Sequence, residues 1–180
     1  MNIGWKMEKE MTAIDKFYIE DKVVIITGGA GLLGRKHAEA VIEGRGIPIL
    51  IDISDKALKE VMESLQHIYS EDRKMDGYIA DITKREEIEK VADQILNKYG
   101  HIDILINNAA NNPKVECKSE NMKAIQFENF PMQTWLDDLA VGLTGAFICA
   151  QVFGAIMAKQ QKGVILNISS DLGIIAPDQR

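Results

Sequence analysis

The residues best suited to chemistry begin with Thr27-Gly28-Gly29-Ala30-Gly31-Leu32-Leu33-Gly34. This run follows the β-branched stretch Val23–Thr27 and leads into apolar residues at helical spacing. Glycines there let the backbone turn sharply and approach a pyrophosphate, to which the start of a helix offers free N–H groups. Gly28, Gly31 and Gly34 are the residues expected to hold it, with Thr27 and Leu33 beside them. Eighteen residues beyond Gly34 stands Asp52, whose carboxylate can accept both ribose hydroxyls of an adenosine. The alternative for Asp52 is a cap on the following helix. A 2′-phosphate would meet this carboxylate as a like charge, at up to ~4 kcal/mol for two unit charges near 4 Å and an effective dielectric of 20. Ile53 supplies no compensating cation, so NAD is favoured over NADP. Arg35 and Lys36 follow the last glycine and soften that repulsion only if they turn away from solvent.

Three more groups sit where apolar runs end. Asp81-Ile82 offers a carboxylate to an adenine amino group, or a plain helix cap beside Thr83. In Asn107-Asn108-Ala109-Ala110 the small side chains let a flat ring or sugar lie against the backbone, and the amides can tie neighbouring strands together. Asn167-Ile168-Ser169-Ser170 brings hydroxyls to a corresponding place.

Positioning these groups requires strands and helices in alternation. Strands are expected at Val23–Thr27, Ile47–Asp52, around Gly77–Ala80, at Ile102–Asn107 and at Gly163–Ser169. Helices are expected from Leu33 to Glu43, after an N-cap at Ser54, after a Thr83/Glu86 capping box and from Pro131 onward. The polar stretch 111–130 reads as a long loop, either shaping access to the site or a surface excursion. Such alternation implies parallel strands with right-handed crossovers, so the fold class is α/β, a Rossmann-type doubly wound parallel sheet. Five strands in the order 3-2-1-4-5 are expected, with residues 1–21 a loosely helical leader that carries Met7, Met11, Ile14 and Phe17 on one side and packs through Met7 and Met11. Residues 22–180 form the nucleotide-binding domain.

Composition sets the outer bounds. With 27 acidic and 21 basic residues the net charge is −6, which argues against nucleic acid as a partner. No signal peptide is visible, and no apolar run is expected to approach the ~18 residues of a membrane span. Cys117 and Cys149 make no CxxC pair, and His37, His67 and His101 lack ligand spacing, so no metal site is expected and a reduced, cytoplasmic protein fits. Trp135 reads as a core or interface residue, with a substrate wall as the alternative.

Taken in order, the glycine segment, Asp52, Asp81, Asn-Asn-Ala-Ala and Asn-Ile-Ser-Ser resemble the short-chain dehydrogenases/reductases, from about Lys22 to the last residue. The resemblance implies an NAD-dependent enzyme interconverting an alcohol and a carbonyl by hydride transfer, on a small substrate for which a sugar is one candidate. It assigns cofactor contacts to the glycine segment, to Asp52-Ile53, to Asp81-Ile82 and to Asn108, Ala109 and Ala110, and it makes Ser170 the residue that orients the reacting carbonyl or hydroxyl. It also implies a homodimer or homotetramer in which the helix from Pro131 forms part of the interface. The TGxxGxxG spacing is that of the family's extended members, which makes a nucleotide-sugar epimerase or dehydratase an alternative. Combined with NNAA, it resembles oxidoreductases of surface-polysaccharide and flagellin modification.

Two departures bear on activity. Gly142 occupies the place of the family's asparagine in the long helix. The catalytic Tyr-x-x-x-Lys is matched only by Tyr18 and Lys22, ahead of the first strand. The resemblance places the pair about a dozen residues or more beyond the serine. A C-terminally incomplete domain, with the outer edge of its fifth strand uncovered, is therefore expected, and an NAD-binding module without turnover is a further alternative.

Overall fold

The computed structural model describes residue 12 and residues 15–69, 73–111 and 127–170. A 3-10 turn at Asp15–Phe17 precedes β1 (Val23–Thr27), α1 (Leu32–Glu43), β2 (Ile47–Asp52), α2 (Asp55–Tyr69), β3 (Asp76–Ile79), α3 (Arg85–Tyr99) and β4 (Ile104–Asn107). A second 3-10 turn at Phe127–Asn129 leads to α4 (Met132–Leu139), a π-helical segment (Ala140–Gly145), α5 (Ala146–Lys159) and β5 (Val164–Asn167). The strands form one sheet in the order β3-β2-β1-β4-β5, and every neighbouring pair is parallel. This is the expected Rossmann-type arrangement, and its switch in strand order falls between β1 and β4.

Residue alternation along β1 explains how the sheet is covered on both faces. Val23 and Ile25 enter a layer with Ile88, Ile95 and Phe153 from α3 and α5. Val24 and Ile26 point the other way, to Ala38 and Ile42 of α1 and Leu65 of α2. All five β1 residues are buried, as a central parallel strand requires.

Several boundaries moved for identifiable reasons. Gly100 ends α3 in the left-handed region, φ 79°, with its N–H on the Leu96 carbonyl, as its place in the sequence implies. Ser54 caps α2, its hydroxyl accepting from Ala57 N–H at 3.3 Å. The capping box at Thr83 and Glu86 does not form. The Asp81 carboxylate is a stronger acceptor two residues upstream and takes both the Thr83 N–H (3.0 Å) and the Thr83 hydroxyl (2.7 Å), and α3 starts at Arg85 without a side-chain cap. β4 begins at Ile104, where its ladder with β1 opens opposite Val24. β5 is confined to Val164–Asn167, and its four residues are exposed. Among the described residues nothing pairs with its outer edge.

The long helix is interrupted: Ala140–Gly145, which contains Gly142, forms a π segment. Met132–Lys159 is, by length and composition, long and apolar enough to cross a membrane, which corrects the expectation that no stretch approaches that length. In the fold it lies along the sheet, with Cys149, Val152, Phe153 and Met157 in the core. In the leader, Met7, Met11 and Ile14 lie outside the described residues, and Phe17 is exposed. Ile19 makes the contact instead, its N–H on the Gly44 carbonyl at 2.8 Å and its side chain against the α1–α2 core layer.

Candidate functional site

The C-terminal ends of the strands open onto a cleft of about 570 Å³. Its lining includes Gly28, Gly31, Leu33, Asp52, Ile53, Asp81, Ile82, Asn108, Ala109 and Ala110, ten of the residues singled out from sequence. Thr27, Gly34 and Ser170 are not in the lining. Leu32, Ile51, Ala80, Asn111 and Val141 complete it, none of them named individually from the sequence although Leu32 lies in the glycine segment. Leu32 and Ala80 adjoin motif residues and were within reach of the sequence. Val141 was not, because it lies in a π segment that the apolar periodicity of the long helix does not reveal.

The glycine turn is shaped by close backbone contacts. Gly28 has φ +63°, and a Cβ there would lie 2.9 Å from Ala109 Cα. At Gly34 a Cβ would fall 2.1 Å from the Gly28 carbonyl oxygen, well inside any tolerable contact. Gly31 heads α1 with no side-chain cap, which leaves first-turn N–H groups for an anion. Thr27 works from beneath. Buried at the end of β1, its hydroxyl accepts from the N–H groups of Asn108 (3.0 Å) and Ala109 (3.1 Å). Asn108 answers with its amide N–H on the carbonyls of Thr27 (2.9 Å) and Gly28 (3.2 Å). The end of β4 is thereby fixed against the glycine turn.

Asp52 joins that turn from β2. Its Oδ2 accepts from Ala30 N–H and its Oδ1 from Ser54 N–H, each at 3.0 Å. Each carboxylate oxygen keeps a second lone pair, so bracing the loop and receiving a ribose hydroxyl are compatible. Asp81 is bound to Thr83 as described, and its backbone N–H donates to Glu87 at 2.8 Å. Partial burial opposes ionisation of Asp81, but the Thr83 hydroxyl and N–H together with Lys84 outweigh it and hold the carboxyl below its ordinary value. Lys84 stays 3.6 Å from Asp81 Oδ2.

At the far end of the cleft Asn111 donates to Asp138 Oδ1 at 2.9 Å, tying the segment after β4 to α4. Beyond that bond lies an apolar cavity of about 760 Å³ whose lining includes Phe130, Trp135, Leu139, Gly142 and Leu143. Trp135 is half exposed there, not a core residue. A Cβ added at Gly142 meets no atom within 4 Å. Asn107 and Asn167 tie β4 to β5 through an amide hydrogen bond of 2.8 Å. Ser170 follows three residues later, exposed. Tyr18 and Lys22 lie at the opposite end of the sheet, before β1. There the Arg45 guanidinium stacks over the Tyr18 ring at 4.1 Å, and Lys22 pairs with Asp103 at 2.9 Å.

The cradle fits a dinucleotide on steric and charge grounds, with glycines where any Cβ would intrude, an uncapped helix start and a carboxylate beside it. Comparison with known proteins places the chain independently. The family model for short chain dehydrogenases matches residues 22–179. The chain is 33% identical over 163 residues to an NAD-dependent glycerol dehydrogenase of Listeria innocua serovar 6a, covering 91% of this chain and 58% of that protein. It is 26% identical over 159 residues to post-translational flagellin modification protein A of Campylobacter coli, covering 88% and 59%. A crystal structure of NAD+-bound xylitol dehydrogenase superposes with a TM-score of 0.77 at 25% identity, over 91% of this chain and 58% of that one. The chain thus spans a little under three-fifths of the length of these relatives. Fold, strand-end motifs and family model agree, and the chain belongs to the short-chain dehydrogenase family.

Proposed function

We propose that this chain forms the NAD-binding part of an oxidoreductase that interconverts an alcohol and a carbonyl on a small substrate. The observation that carries this reading is the Asp52 carboxylate braced beside an uncapped glycine turn at the strand switch point. The α1 N-terminus with Gly28 and Gly31 would bind the pyrophosphate, and Asp52 the adenosine ribose. Asp81 would take the adenine amino group, while Leu33, Ile53 and Ile82 flank the ring. Ala109 and Ala110 leave room for the flat remainder of the cofactor. When bound, NAD supplies the nicotinamide carbon that accepts or donates hydride. Ser170 is assigned the orienting hydrogen bond to the substrate oxygen. We also assign the apolar exposed face of α4 and α5 to contact between copies of the chain.

A relative's name supports NAD, since one match is an NAD-dependent glycerol dehydrogenase. The Tyr-x-x-x-Lys spacing is matched only by Tyr18 and Lys22, at the opposite end of the sheet from the cleft, an observation that favours binding without turnover as the second reading. Titration with NAD, followed by a turnover assay on a panel of alcohols, separates the two. Binding with no hydride transfer supports the second, and no binding at all overturns both.

The charge argument yields a prediction. Asp52→Asn removes charge-assisted hydrogen bonds worth ~1.5–3 kcal/mol, so NAD affinity is expected to fall by about tenfold or more. NADP, which gains from the lost repulsion, should fall much less. Calorimetric titration of both cofactors checks this, and an unchanged NAD/NADP affinity ratio would remove Asp52 from the ribose site.

A further inference from the structure

Two cations, Arg35 and Lys36, follow the glycine turn directly, yet both are committed elsewhere. Arg35 Nε donates to Glu39 Oε1 at 3.0 Å, and its Nη2 donates to the Ser64 hydroxyl at 3.0 Å. Lys36 Nζ donates to Glu39 Oε2 at 2.5 Å. Glu39 is the least exposed member of this group, with its side chain 15% exposed against 36% for Arg35 and 64% for Lys36. Both its oxygens are used, one for each cation. Lys36, followed by Arg35, holds its carboxyl below the ordinary value, so it stays ionised across the neutral range.

The direction in which Arg35 is drawn matters. A helical side chain leans over the turn preceding its own Cα, which for Arg35 is the turn of Gly31. That turn adjoins Ala30, whose N–H holds Asp52. Left to its helix, the guanidinium would lie beside the adenosine ribose end of the cleft. Ser64 instead stands nine residues beyond Asp55 along α2, about 14 Å of helix rise from the end near Asp52. The guanidinium is therefore held down the groove between α1 and α2, away from the position a 2′-phosphate would take.

We propose that Glu39, assisted by Ser64, is a specificity-determining residue that disfavours NADP by withholding the Arg35 guanidinium from the adenosine 2′ position. Discrimination then has two parts. Asp52 repels the 2′-phosphate, and Glu39 denies it a counter-ion that the sequence places next door. The proposal rests on the dinucleotide reading above.

The test is calorimetric titration of NAD and NADP on the full chain and on Glu39→Gln, Arg35→Gln, the double variant and Ser64→Ala. Releasing Arg35 by Glu39→Gln should raise NADP affinity about five- to tenfold, the effect of one added cation roughly 7–8 Å from a phosphate at intermediate dielectric. NAD affinity should stay within about twofold. The gain should vanish in the Arg35→Gln/Glu39→Gln double variant, while Arg35→Gln alone should match the parent for both cofactors. Ser64→Ala, which cuts only the outer tether, should move NADP in the same direction by less and serves if Glu39→Gln fails to fold. Retained NAD binding with no gain for NADP overturns the proposal and leaves the dinucleotide reading intact. So does a gain that survives loss of Arg35, or a loss of NADP affinity in Arg35→Gln alone. Failure of the parent chain to bind NAD overturns the dinucleotide reading and this proposal with it.

Discussion

Alanine at Gly34 is expected to abolish NAD binding and to lower stability by about 3 kcal/mol or more, the range of severe overpacking. The reason is the 2.1 Å between a Cβ there and the Gly28 carbonyl oxygen, with Gly29 Cα and the Gly28 carbonyl carbon inside 3 Å as well. All three are backbone atoms, so no flexible side chain can give way. Relief requires α1 to move off the turn, and that turn is pinned on its other side. Gly28 packs against Ala109, and its carbonyl also accepts from Asn108. The clash therefore passes into the β1–β4 junction as well as the anion site. For a domain of this size, 3 kcal/mol corresponds to about 6–12 °C in Tm. Gly31→Ala is the internal control. Its Cβ would stand 3.2 Å from the same oxygen, a contact met by a small adjustment, and it lines the cleft. It should melt within about 1 kcal/mol of the parent while still weakening NAD. Thermal melts with NAD titration read both effects. A Gly34→Ala chain that melts normally and binds NAD would disprove this account of the turn.

That pair of glycines also shows what sequence could and could not convey. Placement of Gly28, Gly31 and Gly34 between strand and helix was legible because a sharp strand-to-helix turn leaves little room for side chains, as the positive φ of Gly28 and the crowding at Gly34 bear out. Their division of labour was not. Gly34 shapes the turn by contact with Gly28, whereas Gly31 lines the cleft, and nothing in the spacing separates the two. Asp52 read as ribose ligand or helix cap, and it braces Ala30 and Ser54 N–H groups with lone pairs to spare. The capping box failed because Asp81 competes for the Thr83 hydroxyl through a stronger, charged hydrogen bond, a competition invisible in a pattern of residue types. In the long helix, apolar periodicity announced one continuous element, and the structure shows a π segment at Ala140–Gly145 from which Val141 lines the cleft. Charge pairing was the least legible level. Arg35 was expected to face solvent or soften Asp52, and it spans to a serine 29 positions away.

Asp103 gives the second large expected effect, and it too lay inside a run that reads as apolar strand. It is buried just before β4, with Oδ1 on Lys22 Nζ at 2.9 Å and Oδ2 accepting from Val23 N–H at 3.1 Å. His101 Nε2 stands 3.1 Å from the same Oδ2. Asp103→Ala would strand the Lys22 ammonium and orphan the first N–H of the central strand. The expected cost is about 3 kcal/mol, the low end for breaking a buried pair, because Lys22 keeps a third of its side chain in water. Partial burial opposes ionisation of Asp103, but the Lys22 ammonium, the Val23 N–H and His101 outweigh it and hold the carboxyl below its ordinary value. Its unfolded value is about 3.9, so the contribution is complete above that pH and lost as pH falls through the lower folded value. Asp103→Asn keeps the shape and one acceptor but not the charge. From about pH 5 downward its deficit against the parent should shrink, most steeply below about pH 4. Urea unfolding across that range measures it. A deficit that holds constant into the acid limb would show that packing at Asp103, rather than its charge, joins the start of β1 to the start of β4.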